Sequence, residues 1–176
     1  MGSCAGSRSL RPTRRTPASS ACRRPTRSRS RRSCARSSPA VRDARPGDAA
    51  ALAALVADLG DDGDAGRLAA ALHALGADER VLVAEEVGAV RGFASAAVVP
   101  FFHDGSRRLR LTAVAVAAPY RGRGIARSLV GELERWGRDR GCTLVEVTSA
   151  EHRSDAHAAY RALGFDETSR RFVRQL

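Results

Sequence analysis

The run AVAVAAPYRGRGIARSLV, residues 113–130, restricts the architectures open to this chain more than any other stretch. It begins as small β-formers, breaks at Pro119, passes two arginines and two glycines, and resumes with apolar residues at helical spacing. A strand that turns into a helix through such a segment belongs in an α/β sheet, where ligands bind beyond the carboxyl ends of strands. Gly122 and Gly124 lack Cβ atoms, so an anion can come close to the backbone. The first N–H groups of the following helix point there and carry about half a positive charge. Arg121 and Arg123 add donors suited to phosphate oxygens. In outline the segment is a diphosphate cradle.

Other phosphate loops fit worse. A Walker loop needs GxxxxGK[ST], and the chain contains no Lys. A dinucleotide fingerprint needs glycine where Arg127 stands. Glu146 lies 22 residues past Gly124, near the spacing of a ribose-binding acid, yet it falls in mid-strand.

The rest of the body supplies the layers. VRDARPGDAAALAALVADLG reads as a short strand and a helix, with Pro46 near its first turn, Gly60 past its end, and Leu52, Leu55, Val56 and Leu59 on one face. DDGDAG is a turn, and RLAAALHALG a second helix. RVLVAEE and AVRGFASAAVV form an antiparallel hairpin about a turn at Val87 and Gly88. RRLRLTAVAVA is a long strand. A helix over Gly122 to Arg140 follows, with Ile125, Leu129, Leu133 and Trp136 on one face. CTLVEVTSA is then a strand parallel to the long one, SDAHAAYRALG a helix, and FDETSRRFVRQL a final strand.

Charge divides the chain in two. The first 40 residues carry 11 Arg and no acid, so residues 41–176 hold 19 basic and 19 acidic groups. The net charge of +11 is a property of the tail, not of the body. This Arg/Ser-rich tail has no apolar period and is expected to be disordered. It lacks the apolar core of a secretory signal but fits a transit segment, a basic nucleic-acid arm, or sequence upstream of the true start. Cys142 is the one cysteine outside the tail, so no intrachain disulfide is expected in the body, and a cytoplasmic setting is the default. No membrane span is expected. His73, His103, His152 and His157 lack ligand spacing and DDGDAG lacks a calcium pattern, so no metal is expected.

Arg121, Gly124 and Ala126 match the R/Q-x-x-G-x-G/A signature of the GNAT superfamily of acetyl-CoA-dependent N-acetyltransferases. VAAPYRGRGIARSLVGELERWGRDRGC and EVTSAEHRSDAHAAYRALGF also resemble that family, over about residues 41–176. The resemblance implies a mixed, mostly antiparallel sheet flanked by helices, with a splayed parallel strand pair at the cofactor site. It implies that the backbones of Val114, Ala115 and Val116 bind the pantetheine arm of acetyl-CoA. Arg121, Gly122, Arg123, Gly124, Ile125 and Ala126 would hold the diphosphate, and Ser149 would contact the arm. Tyr160 matches the family's general acid, a phenol that protonates the departing thiolate. The family often places an acid on the long strand, where this chain has Arg110 and Thr112. Glu146, Glu85 and Glu86 are alternatives, and no base is assigned. Arg153 and His157, one turn apart on the Tyr160 helix, are candidate contacts or packing residues.

The implied reaction is direct transfer of an acetyl group to a primary amine, of a small molecule before a peptide. Some aminoglycoside acetyltransferases share the ending R..AH..Y...GF, which does not fix the acceptor. Nucleic acid is not an expected partner of the folded body, and a homodimer is compatible with it. A second reading stays open: a CoA-binding regulatory domain that has lost turnover. The absent strand carboxylate favours it; Tyr160 favours the enzyme.

Overall fold

A computed structural model of the chain describes residues 39–168 and 172–175. Its elements run β1 (Ala40–Asp43), α1 (Ala49–Ala57), α2 (Ala65–Ala74), β2 (Glu79–Glu86), β3 (Ala89–Pro100), β4 (Arg107–Val116), α3 (Ile125–Asp139), β5 (Cys142–Val147) and α4 (Ser154–Leu163). The strands lie in the order β1-β2-β3-β4-β5. β4 and β5 are parallel and the other pairs antiparallel, as the sequence predicts. The arginine-rich tail lies outside the described residues as far as position 38, and Ala40 already opens β1.

Period-two alternation sends side chains to opposite faces of the sheet, and each face meets its own helices. Leu82, Ala94, Ala96, Leu109 and Leu111 join Ile125, Leu129, Val130 and Leu133 of α3 in one buried cluster. Val83, Phe93 and Ala115 pack against Leu52 and Leu55 of α1 on the other face. Leu129 and Leu133 are fully buried, and burial of each contributes about 1.5–3 kcal/mol. Asp64 caps α2, its carboxylate accepting from the Arg67 N–H at 2.6 Å, so the acidic turn ahead of α2 has a structural use.

Single-residue insertions shift the alternation in the antiparallel part of the sheet at two places. On β4, Ala113 opposes Ser95 and Leu111 opposes Ala96, leaving Thr112 as the extra residue of a bulge. The slip keeps Val114 and Val116 on the α3 face with Leu109 and Leu111, and turns Ala113 and Ala115 toward α1. On β3, Gly92 opposes Ala84 and Val90 opposes Glu85, so Arg91 is the second extra residue. Unbroken apolar character over residues 113–116 hides the first slip from sequence periodicity.

The β2–β3 hairpin turns on Val87 and Gly88, at φ 52° and 71°. A two-residue loop with both φ positive is the type I′ geometry that favours Asn-Gly. Val87 is 93% exposed, so its side chain offsets none of the strain of a β-branched residue in the left-handed region. Val87→Asn is expected to raise the unfolding free energy by about 1 kcal/mol, read as a higher denaturant midpoint at constant slope.

The final strand is corrected. Among the described residues, 165–168 and 172–175 carry no strand, and positions 169–171 and 176 lie outside them. The segment lacks the alternation that would turn one apolar face inward: Phe165 is half-buried, whereas neighbouring Phe172 and Val173 are 92% and 76% exposed.

Candidate functional site

β4 outruns its parallel partner. The β4–β5 register ends at Leu111 opposite Val147, whereas β4 continues to Val116, paired with β3 as far as Gly92. Residues 112–116 therefore present a backbone edge that an extended amide-bearing ligand can pair with. This is the expected splay at Val114, Ala115 and Val116. The Ala115 side chain is buried toward α1 and its carbonyl faces β3 beside Gly92, so Ala115 is corrected as an arm contact. Val114 and Val116 pack on the α3 cluster and turn their backbone groups to the edge that β5 leaves, where Arg121 takes the Val116 carbonyl. Gly92 permits the close approach beneath this edge. A Cβ there would lie 2.8 Å from the Ala115 carbonyl oxygen and 3.2 Å from the side chains of Ile125 and Val116.

Beyond the strand the chain reverses in one 3-10 turn, Ala118–Tyr120. Ala117 N–H donates to the Arg91 carbonyl at 2.9 Å, and Arg121 Nε donates to the Val116 carbonyl at 3.0 Å. Arg121 thus clamps the strand end, a role its signature position does not announce. Gly122 and Gly124 follow at φ 72° and 82°. A Cβ on either would meet nothing within 4 Å, so the space before the turn is open. Gly124 is the N-cap of α3, and the first helical bond runs from Ser128 N–H to its carbonyl at 3.0 Å. The N–H groups of Ile125, Ala126 and Arg127 precede that bond and face the open side as helix-start donors. The helix therefore begins three residues later than the sequence suggests, since two left-handed glycines cannot continue into it.

The turn is electropositive. The guanidinium carbons of Arg91 and Arg123 lie 4.4 and 4.9 Å from the Tyr120 ring centroid, and neither has a carboxylate partner among the described ion pairs. Sequence reasoning missed Arg91, because only the bulge in β3 brings it to a turn some thirty residues later. Ser149 lies two residues past β5. Its Oγ is buried with no hydrogen-bond partner among the described residues, a state that costs about 1–3 kcal/mol unless a ligand satisfies it. An open edge of amides, a cradle of helix-start N–H groups and an orphaned hydroxyl together fit a diphosphate-bearing chain with internal amides.

Tyr160 sits on α4, half-buried, its ring edge-to-face with Phe165 at 5.8 Å. Burial pushes the phenol pKa up from 10.0, against an opposing pull from Arg153. Arg153 is the N-cap residue of α4, and His157 is half-buried one turn on. Two of the three candidate bases are engaged elsewhere. Glu146 accepts from Arg110 Nε at 2.6 Å, and Glu85 from Arg42 Nε at 2.8 Å. Both carboxylates are therefore occupied by arginines. At the bulge, Ser95 Oγ and Thr112 Oγ1 lie 2.7 Å apart. Two surface hollows of about 100 and 260 Å³ lie along α3, beside Cys142 and beside Trp136, and neither includes a residue of the junction. No helix among the described residues is long and apolar enough to cross a membrane.

Comparison with known proteins points to one family. A family profile described as "Acetyltransferase (GNAT) family" matches residues 52–165. An aminoglycoside N(6')-acetyltransferase type 1 of Stenotrophomonas maltophilia is 33% identical over 138 residues, 76% of this chain and 90% of that protein. N-acetyltransferase family 8 member 2 of Rattus norvegicus is 34% identical over 91 residues, 52% of this chain and 40% of that protein. The solved structure of AAC(6')-Iy with the bisubstrate analogue CoA-S-monomethyl-acetylneamine superposes with a TM-score of 0.69 at 22% identity, covering 78% of this chain and 97% of that one.

Proposed function

The chain belongs to the acetyltransferase (GNAT) family, and from this premise we propose that it acetylates a primary amine of a small molecule. It is an acetyl-CoA-dependent N-acetyltransferase. Bound acetyl-CoA supplies an activated acyl thioester. The edge beyond Leu111, at Val114 and the Val116 N–H, holds the pantetheine amides and so orients the thioester, with Ser149 Oγ as a further donor. The N–H groups of Ile125 and Ala126, with Gly122 and Gly124 giving access and Arg121 and Arg123 adding charge, bind the diphosphate. Rate comes from holding thioester and amine together and from polarising the carbonyl. Tyr160 holds a proton at its hydroxyl and delivers it to the departing sulfur.

The observation that carries this reading is the loss of β5 pairing after Leu111, immediately ahead of the glycine turn. The similarity to an aminoglycoside N(6')-acetyltransferase over 90% of its length supports a small-molecule acceptor. No carboxylate is assigned as base; a water relay or capture of the neutral amine suffices. The test is release of coenzyme A thiol from acetyl-CoA against a panel of aminoglycosides, other small primary amines and peptides. Turnover at least about tenfold more efficient on small amines than on peptides is expected, and the reverse order overturns the acceptor class.

A further inference from the structure

α4 carries the proposed acid, yet none of its residues is fully buried. Only its end reaches a core, where Leu163 and Phe165 pack partly against the α3 cluster. A helix held so lightly needs another anchor if one hydroxyl is to sit at a fixed place. The last turn shows one. Gly164 N–H and Phe165 N–H close on the carbonyls of Arg161 and Tyr160 at 3.0 Å each, and Arg127 Nη2 donates to the Ala162 carbonyl at 2.6 Å. A guanidinium at a helix C-terminus satisfies an otherwise unpaired carbonyl and lies at the negative end of the dipole. Arg127 itself stands in the first turn of α3, three residues past its N-cap, on the same turn that offers the diphosphate its N–H groups.

We propose that Arg127 is a positioning residue that ties the carboxyl end of α4 to the cofactor-binding turn of α3, holding the Tyr160 hydroxyl in register with the bound thioester. The proposal rests on the reading of Tyr160 as the acid and adds the part that aims it. Arg127 stands where a dinucleotide fingerprint would require glycine, so its side chain occupies a position that such a loop leaves bare. Among the described ion pairs it has no carboxylate partner, so its one recorded side-chain contact is the bond to α4.

The test compares Arg127→Ala and Arg127→Lys, each with and without Tyr160→Phe, by steady-state kinetics and by tyrosinate absorbance during alkaline titration. The chain has 2 Tyr, so the Tyr160→Phe variant supplies the Tyr120 blank. Arg127→Ala is expected to lower kcat about tenfold while the KM for acetyl-CoA moves less than about threefold. The Tyr160 titration moves down toward 10.0 as α4 loosens and water reaches the ring. Lysine, which keeps a donor and the charge, restores most of the loss. In the Tyr160→Phe background the alanine change costs nothing further, because the aimed group is gone.

A kcat within about twofold of wild type, or an equal fall without the Tyr160 hydroxyl, overturns the proposal. So does an effect confined to the KM for acetyl-CoA, which would make Arg127 a phosphate contact. Where alanine prevents folding, Arg127→Met keeps the stem and is judged by the same readouts. Full turnover in Tyr160→Phe alone refutes the acid instead, while the Arg127 titration shift still reports whether α4 is tied.

Discussion

Tyr160→Phe is expected to lower kcat by about tenfold or more with acetyl-CoA affinity unchanged. The substitution keeps the ring that packs edge-to-face on Phe165 and removes only the hydroxyl, so stability changes little. The departing thiolate is a better leaving group than an alkoxide, which places the effect toward the lower end of general-acid contributions of about 10²–10⁴. The pH dependence is a second readout. Burial raises the phenol pKa above 10.0, so the acid form persists through that pH and is lost as pH climbs through the raised value. Wild type should therefore show an alkaline limb in kcat above pH 10 that Tyr160→Phe lacks. Equal turnover in the two proteins, with the limb intact, removes Tyr160 from the reaction.

Gly124→Asp is expected to weaken acetyl-CoA binding by about a hundredfold, with Gly124→Asn weakening it far less. Gly124 sits at φ 82°, which strains most side chains, but Asn and Asp tolerate that region better than others. No atom lies within 4 Å of a Cβ built there, so both side chains start into open space, and the two have nearly the same shape. What separates them is charge. A carboxylate about 4 Å from a phosphate oxygen repels it by about 4 kcal/mol at an effective dielectric near 20. Salt and outward rotation reduce that, and a hundredfold loss corresponds to about 2.8 kcal/mol. Calorimetry on the folded variants measures it, with the gap narrowing as salt rises. Equal affinity for the two variants would mean that no anion sits before this turn.

Most of the architecture is visible along the chain because its signals are local. Leu129 and Leu133 recur at helical spacing, Gly60 and Gly164 end helices, and the hairpin turns at Val87 and Gly88. The parallel β4–β5 pair follows from the helix between them. The glycine turn is equally legible, since glycines, arginines and a helix start are adjacent in sequence. The end of the chain differs: the apolar residues after Phe165 suggest a strand, but they are too sparse to form a buried face, and the described residues there carry none. The charged groups around the site were only partly readable, because partner choice is not local. Glu146 has the right type and near-right spacing for a ribose contact, yet β4–β5 register sets it opposite Arg110, which occupies it.

Residue order alone determined that a strand, a glycine turn and a helix start would meet, because backbone conformation and helix polarity follow from neighbours a few positions apart. Only the folded chain decided which edge of that strand stays bare, since this depends on where β5 stops and on the extra residue at Thr112. It likewise brought Arg91 to Tyr120 and Arg127 to α4, contacts across 29 and 35 positions that no local preference encodes. Pairing register and packing are properties of the whole sheet, and they settle what the side chains at a correctly foreseen turn are left to do.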